Sequence, residues 1–190
     1  MKKKIWLPAA FALLASCSSP SSIKNASIIS PHLNLEQVAD SQIVYLSQLN
    51  PDVQKNVVSN GQSETKSLKI SDWNKELDIL KKSNLDKPAF IGNYSIDISQ
   101  VPGSTLKKFT ALKSDLIIKH QVAQLDSLGN LVHLESSSED KNILYYTRKE
   151  ISADFSVVKG KSILKNYSAS AIQKIIGLDT FRLGVNAKIN

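Results

Sequence analysis

From Gly92 to the C-terminus the chain takes up a period of two, cut at short intervals by turn-forming residues, and this restricts its second half to antiparallel sheet. Tyr94, Ile96 and Ile98 alternate with Ser95 and Asp97, the pattern of a strand with one face buried. Pro102-Gly103 makes a turn. Gly129-Asn130, between Leu128 and Leu131, suits a two-residue hairpin because both residues tolerate positive φ. Further turns fall at Glu139 to Lys141, before a strand from Ile143 to Phe155, and at Lys159-Gly160, before a strand from Ile163 to Ile172; Gly177 permits one more. The last strand sets Phe181, Leu183, Val185, Ala187 and Ile189 against Thr180, Arg182, Asn186 and Lys188. Connections this short cannot make parallel crossovers, so the expected sheet is an antiparallel meander of five or six strands.

The stretch from 34 to 84 reads instead as helical. Asn34 can cap a segment in which Leu35, Val38, Ala39, Leu46 and Leu49 share a face, with Gln42 interrupting the stripe. Asn50-Pro51 suits a new helix start, and Gly61 a stop. Ser71 then caps a helix carrying Trp73, Leu77 and Leu80, with Lys81 and Lys82 at its far end. Trp73 lies on the apolar stripe and reads as a core anchor rather than a stacking platform for a ligand. The expected architecture is therefore α+β, with N-terminal amphipathic helices packed on one face of a curved antiparallel meander. A sheet closed into a small barrel is the competing arrangement.

The first residues constrain address rather than fold. Lys2, Lys3 and Lys4 precede an apolar run from Ile5 to Leu14 that is too short to span a bilayer, and small residues follow. Leu14-Ala15-Ser16-Cys17 resembles the lipobox of bacterial lipoproteins, in which the cysteine is acylated and becomes the first residue after cleavage. That resemblance covers only the leader. It implies a signal peptide over 1–16, lipid attachment at Cys17 and a cell-envelope location; Ser18 matches the residue type that permits transfer to the outer membrane. Residues 17–33, rich in serine and containing Pro20 and Pro31, read as a flexible tether with a reach of roughly 20 to 25 Å. A single globular domain over 34–190 follows.

Composition narrows the chemistry. Cys17 is the sole cysteine, which leaves no internal disulfide, redox pair or thiolate zinc site. The net charge of +7 falls by three without the leader, and the remaining lysines are scattered, which argues against nucleic acid as a partner. Gly160-Lys161-Ser162 has Phe155 where a phosphate-binding loop needs its first glycine. No Gly-x-Ser-x-Gly elbow and no His-Glu-x-x-His helix occurs. The sequence thus offers no catalytic, cofactor-binding or metal-binding set. Its sharpest pair is Asp126 and His133, which outward counting from Gly129-Asn130 places opposite each other; a pair stabilising the hairpin is a commoner use of that geometry than a general base. Tyr146 shares a strand face with Arg148, opposite to Tyr145, and these two join the pair as a candidate ligand or partner surface.

These features favour a non-enzymatic binding or assembly module that displays an open sheet face or an edge strand to an envelope protein. The alternative is a carrier of an apolar ligand such as lipid, and an unrecognised hydrolase ranks third. An enclosed apolar pocket between helices and sheet marks the carrier, whereas a solid core marks the platform.

Overall fold

The computed structural model describes residues 32–190. The leader, the lipobox cysteine and the tether as far as residue 31 lie outside the described residues. Helix α1 (Leu35–Leu49) begins where the side-chain oxygen of Asn34 accepts the Gln37 N–H at 2.9 Å. It ends at Asn50, whose φ of 47° is the left-handed conformation that asparagine tolerates, with Pro51 barring continuation. Strands β1 (Asp52–Ser59) and β2 (Gln62–Lys69) then form a hairpin through Asn60 and Gly61, both at positive φ as a type I′ turn requires. Two short helices follow, α2 (Trp73–Glu76), capped by Asp72, and α3 (Asp78–Lys82).

After a 3-10 turn at Pro88–Phe90 the chain runs through seven consecutive strands. They are β3 (Tyr94–Val101), β4 (Ser104–Ala111), β5 (Ile118–Asp126), β6 (Leu131–Lys141), β7 (Tyr145–Val158), β8 (Lys161–Ile175) and β9 (Phe181–Ile189). All nine strands lie in one antiparallel sheet, ordered β2-β1-β9-β8-β7-β6-β5-β4-β3. The meander from β3 to β9 is extended by the first hairpin, which returns to lie beside β9 with Val53 opposite Ile189. Among the described residues β2 and β3 have no outer partner and do not pair with each other, so this sheet is open and not a barrel.

This corrects the α+β expectation of helices on a sheet of five or six strands. The described residues form mainly one nine-stranded sheet with a single long helix. Residues 52–69 are a hairpin rather than helix, because Asn60-Gly61 turns the chain while Asn50-Pro51 ends a helix instead of starting one. The segment read as one helix from Ser71 breaks at Leu77 and is capped by Asp72. β6 continues through Lys141, so the turn expected at Glu139 to Lys141 falls at residues 142–144.

One sheet face is covered. Leu35, Ala39, Ile43 and Leu46 of α1 and Trp73, Leu77 and Leu80 pack onto Ala123, Leu134, Ile151, Ala153, Leu164 and Ala187 from the strands. Trp73 is indeed a core residue, almost fully buried. A smaller cluster of Leu85, Tyr94, Phe109 and Ile118 closes the β3–β5 side. Three buried amides stitch the layers together. Gln42 donates to the Ser162 carbonyl and accepts from the Leu164 N–H, each at 2.8 Å. Asn84 accepts the Leu35 N–H at 3.1 Å, and Gln121 donates to the Ser83 carbonyl at 2.7 Å. His32, placed in the tether by the sequence, is instead buried: its Nδ1 lies 2.6 Å from the Leu85 carbonyl, and its ring meets those of Tyr94 and Phe109 edge-on.

Candidate functional site: the uncovered sheet face

The strand period of two that sends Leu134, Ile151 and Ala153 into the core sends their neighbours to the opposite face, which none of the described helices covers. That face is built from small polar side chains. Along the middle of β5 to β9 it forms a trough of about 460 Å³ whose lining includes His120, Glu135, Ser137, Ser152, Ser168 and Gly184. A neighbouring hollow of about 620 Å³ shares Ser152, Ser168 and Asn186 with it and continues past Asp154 and Asn166 to Asn56 and Thr65. Together they make a polar band across most of the sheet. Gly184 leaves the floor low, and a Cβ there would meet only Val58, at 3.9 Å.

Between the two hollows runs a row of polar contacts. His133 Nδ1 lies 2.5 Å from Asp154 Oδ1, and its Nε2 lies 3.2 Å from Glu135 Oε1. Asp154 Oδ2 also accepts from Asn166 Nδ2 at 2.6 Å. Partial burial works against a charged imidazole, but the hydrogen bonds and charges of Asp154 and Glu135 outweigh it, and the His133 pKa is raised above its usual value. With a carboxylate beside each ring nitrogen, the protonated imidazole is favoured, and in that form it donates to both.

The expected Asp126–His133 pair is not formed. The connection between β5 and β6 spans four residues rather than two, and a register shift between Gln124 and Leu125 puts Gln124 opposite His133. Asp126 instead organises its own turn: Oδ1 accepts from the N–H groups of Leu128 and Asn130, and Oδ2 accepts from the Asn130 amide. The Asn130 side chain, with the turn N–H groups, outweighs slight desolvation and lowers the Asp126 pKa. His133 finds Asp154 across β6 and β7, where they are direct register partners. Tyr146 and Arg148 do share the uncovered face, yet they sit beyond the trough: the Tyr146 hydroxyl donates to Glu139 at 3.2 Å and Arg148 to Glu150 at 2.6 Å.

Asp154, Glu135, Asn166 and His120 are the site residues that the sequence reading did not single out. A signal existed: in β7, Ser152 and Asp154 occupy the parity left by Ile151, Ala153 and Phe155, and in β8, Ser168 and Ser170 alternate with Ala169 and Ala171. Among the described residues no group of three or more His, Cys, Asp and Glu could hold a metal ion, and no helix is long and apolar enough to cross a membrane. No family model, no curated protein and no solved structure matches the chain.

Proposed function

We propose that this chain is an envelope lipoprotein, anchored through an acylated Cys17, that works as a non-enzymatic platform for a protein partner. The observation that carries the reading is the contrast between the two sheet faces. Under α1–α3 the interior is filled, with Leu35, Leu46, Leu77, Leu134 and Leu164 essentially inaccessible, while the other face stays open with its polar band. The filled core leaves no room for cargo directly beneath α1–α3, and a wide open polar face suits recognition of a polar protein surface. Metabolic labelling with an alkyne fatty acid tests the anchor: label lost on Cys17→Ser supports it, and label retained refutes it. Photo-crosslinking from Ser152, Ser168 and Asn186 of the full-length protein in cells tests the platform. Discrete adducts at these positions, absent from Lys75 on exposed α2 and lost in Gly184→Leu, are expected. Identical adducts from Lys75, or none from the trough, refute it.

A second reading has one observation in its favour. Beyond the end of α3 a hollow of about 620 Å³, lined in part by Ile79, Ile117, Ile118, Ile151 and Phe181, remains on the covered side. A carrier of lipid would use it, and native mass spectrometry with lipid extraction separates the two: co-purifying lipid lost on Ile118→Asp favours the carrier, and a clean apo mass removes it.

A further inference from the structure

The two ends of the sheet differ in a way that turn chemistry does not require. At one end the connections are Pro102-Gly103, residues 127–130 and Lys159-Gly160, in which Leu128 alone is a large exposed apolar side chain. At the other end the β1–β2 turn is Asn60-Gly61, but apolar residues occupy the three remaining connecting loops. Ile143 is 89% exposed and Leu144 65% in the β6–β7 turn; Ile176 is 69% and Leu178 65% exposed in the β8–β9 turn; Leu112 and Ile117 are exposed between β4 and β5. The turns are neighbours, since the Ile176 N–H donates to the Leu144 carbonyl at 3.0 Å and the Glu139 N–H to the Ile117 carbonyl at 2.9 Å. Hairpin tips ordinarily carry Gly, Asn, Asp and Ser. Large aliphatic side chains gathered at adjacent tips, with Ile143, Leu144, Ile176 and Leu178 projecting clear of the hollows described above, mark a surface whose working environment is not water.

We infer that these tips seat the domain on a lipid bilayer, with Ile143, Leu144, Ile176 and Leu178 entering the headgroup–acyl boundary. The entry point of the preceding chain supports a bilayer over other occupants. His32 packs on Tyr94, the first residue of β3, and on Phe109 near the end of β4, so the first 31 residues join the domain at the same end as the apolar tips. From β4 to the β6–β7 and β8–β9 turns is three to five strand spacings, or roughly 15 to 25 Å. On the lipoprotein reading proposed above, the fifteen residues from Cys17 to residue 31 can span at most about 50 Å, so a lipid on Cys17 and the tips can meet one membrane surface. Charges around the tips nearly balance, with Lys113, Lys119, Lys141 and Lys174 set against Asp115, Glu139, Asp140 and Asp179. The attraction is therefore apolar burial and not headgroup charge.

Cys17→Ser leaves the full chain without cysteine or acyl anchor, so one introduced thiol reports one tip whether or not the native chain is lipidated. An environment-sensitive fluorophore is placed at Ile143→Cys, at Leu178→Cys, or at Leu128→Cys on the opposite end. Vesicles of phosphatidylethanolamine and phosphatidylglycerol carrying acyl-chain spin-label quenchers are then added. Blue-shifted, quenched emission is expected at 143 and 178 but not at 128, little changed by added salt. Leu144→Asp with Ile176→Asp should lower partitioning reported at 143 by about tenfold or more, with an unaltered melting temperature. Four results overturn the inference: no vesicle-dependent change at either tip, equal quenching at 128, a vesicle-free blue shift that dilutes away, which assigns the tips to a second copy, or one that survives dilution, which assigns them to the chain itself.

Discussion

Replacing Gln42 by leucine removes the one side chain that satisfies two buried backbone groups of β8 from the middle of α1. The sequence shows only a polar residue breaking an apolar stripe. In the structure its amide nitrogen donates to the Ser162 carbonyl and its oxygen accepts the Leu164 N–H, both at 2.8 Å, and Gln42 is 2% exposed. Leu164 sits beside the register shift between β7 and β8, where regular pairing is disturbed and an outside acceptor is needed. Leucine cannot serve either group, and each orphaned backbone partner costs about 1–3 kcal/mol. The two together cost about 2–6 kcal/mol, and greater burial of apolar surface returns about 1–2 kcal/mol, leaving a net loss centred on about 2.5 kcal/mol. With a urea m-value of about 2 kcal/mol/M, the unfolding midpoint should fall by about 1–2 M. Gln42→Glu keeps the acceptor for Leu164 and loses the donor to Ser162, so it should be destabilising too, least so at acid pH where the carboxyl is protonated. Equilibrium urea unfolding followed by circular dichroism reads both. A leucine variant within about 0.5 kcal/mol of the parent would show that Gln42 fills space and stitches nothing.

Other consequences are equally open to measurement. Because Asp154 and Glu135 raise the His133 pKa, the stability this residue contributes is full below about pH 6.5 and disappears as pH rises through the raised folded value. The melting-temperature gap between the parent and His133→Gln should therefore shrink from pH 6 to about pH 9, and a gap independent of pH refutes the ion-pair reading. Gly184→Ala should raise stability by about 0.5–1 kcal/mol, since its Cβ meets only Val58 at 3.9 Å; a loss on urea unfolding counts against that open floor. Burial pushes the Tyr94 phenol up to about 12, and its hydroxyl donates to the Ile118 carbonyl at 3.0 Å. In an alkaline ultraviolet titration Tyr94→Phe should remove one late-ionising tyrosine and cost about 1 kcal/mol, and an unchanged late phase refutes the assignment.

The parts of the fold legible in the sequence are those where burial and turn chemistry agree. Phe181–Ile189 alternates as read, and Pro102-Gly103 and Lys159-Gly160 fall between strands. β1 and β2 were illegible for a physical reason. β2, Gln62–Lys69, is an edge strand with Leu68 as its one large apolar residue, so no hydrophobic period exists to be read. Asn60-Gly61 held the remaining signal, and the helical reading of Asn50-Pro51 overrode it. β6 was cut short because Ser136 to Lys141 carries turn-like polarity, whereas in the sheet these residues prolong a strand whose outer end needs no core. The Asp126–His133 error has a related origin. Counting outward from a turn presumes its length, and two added residues with a register shift moved His133 onto Gln124 and freed it for Asp154.

The uncovered face and the apolar tips constrain each other. Tips in a bilayer set the long strands upright, and Ser152 stands seven residues above Tyr145 along β7. At about 3.3 Å per residue the trough then lies roughly 25 Å from the tips and opens sideways, parallel to the membrane. On that seating, a partner reaching the trough would extend alongside the domain near the bilayer. A photoreactive phosphatidylethanolamine headgroup in the vesicles should therefore label peptides around Ile143 and Ile176 and spare those around Ser152 and Ser168. Labelling centred on the trough would lay the sheet flat on the membrane and exclude an upright platform.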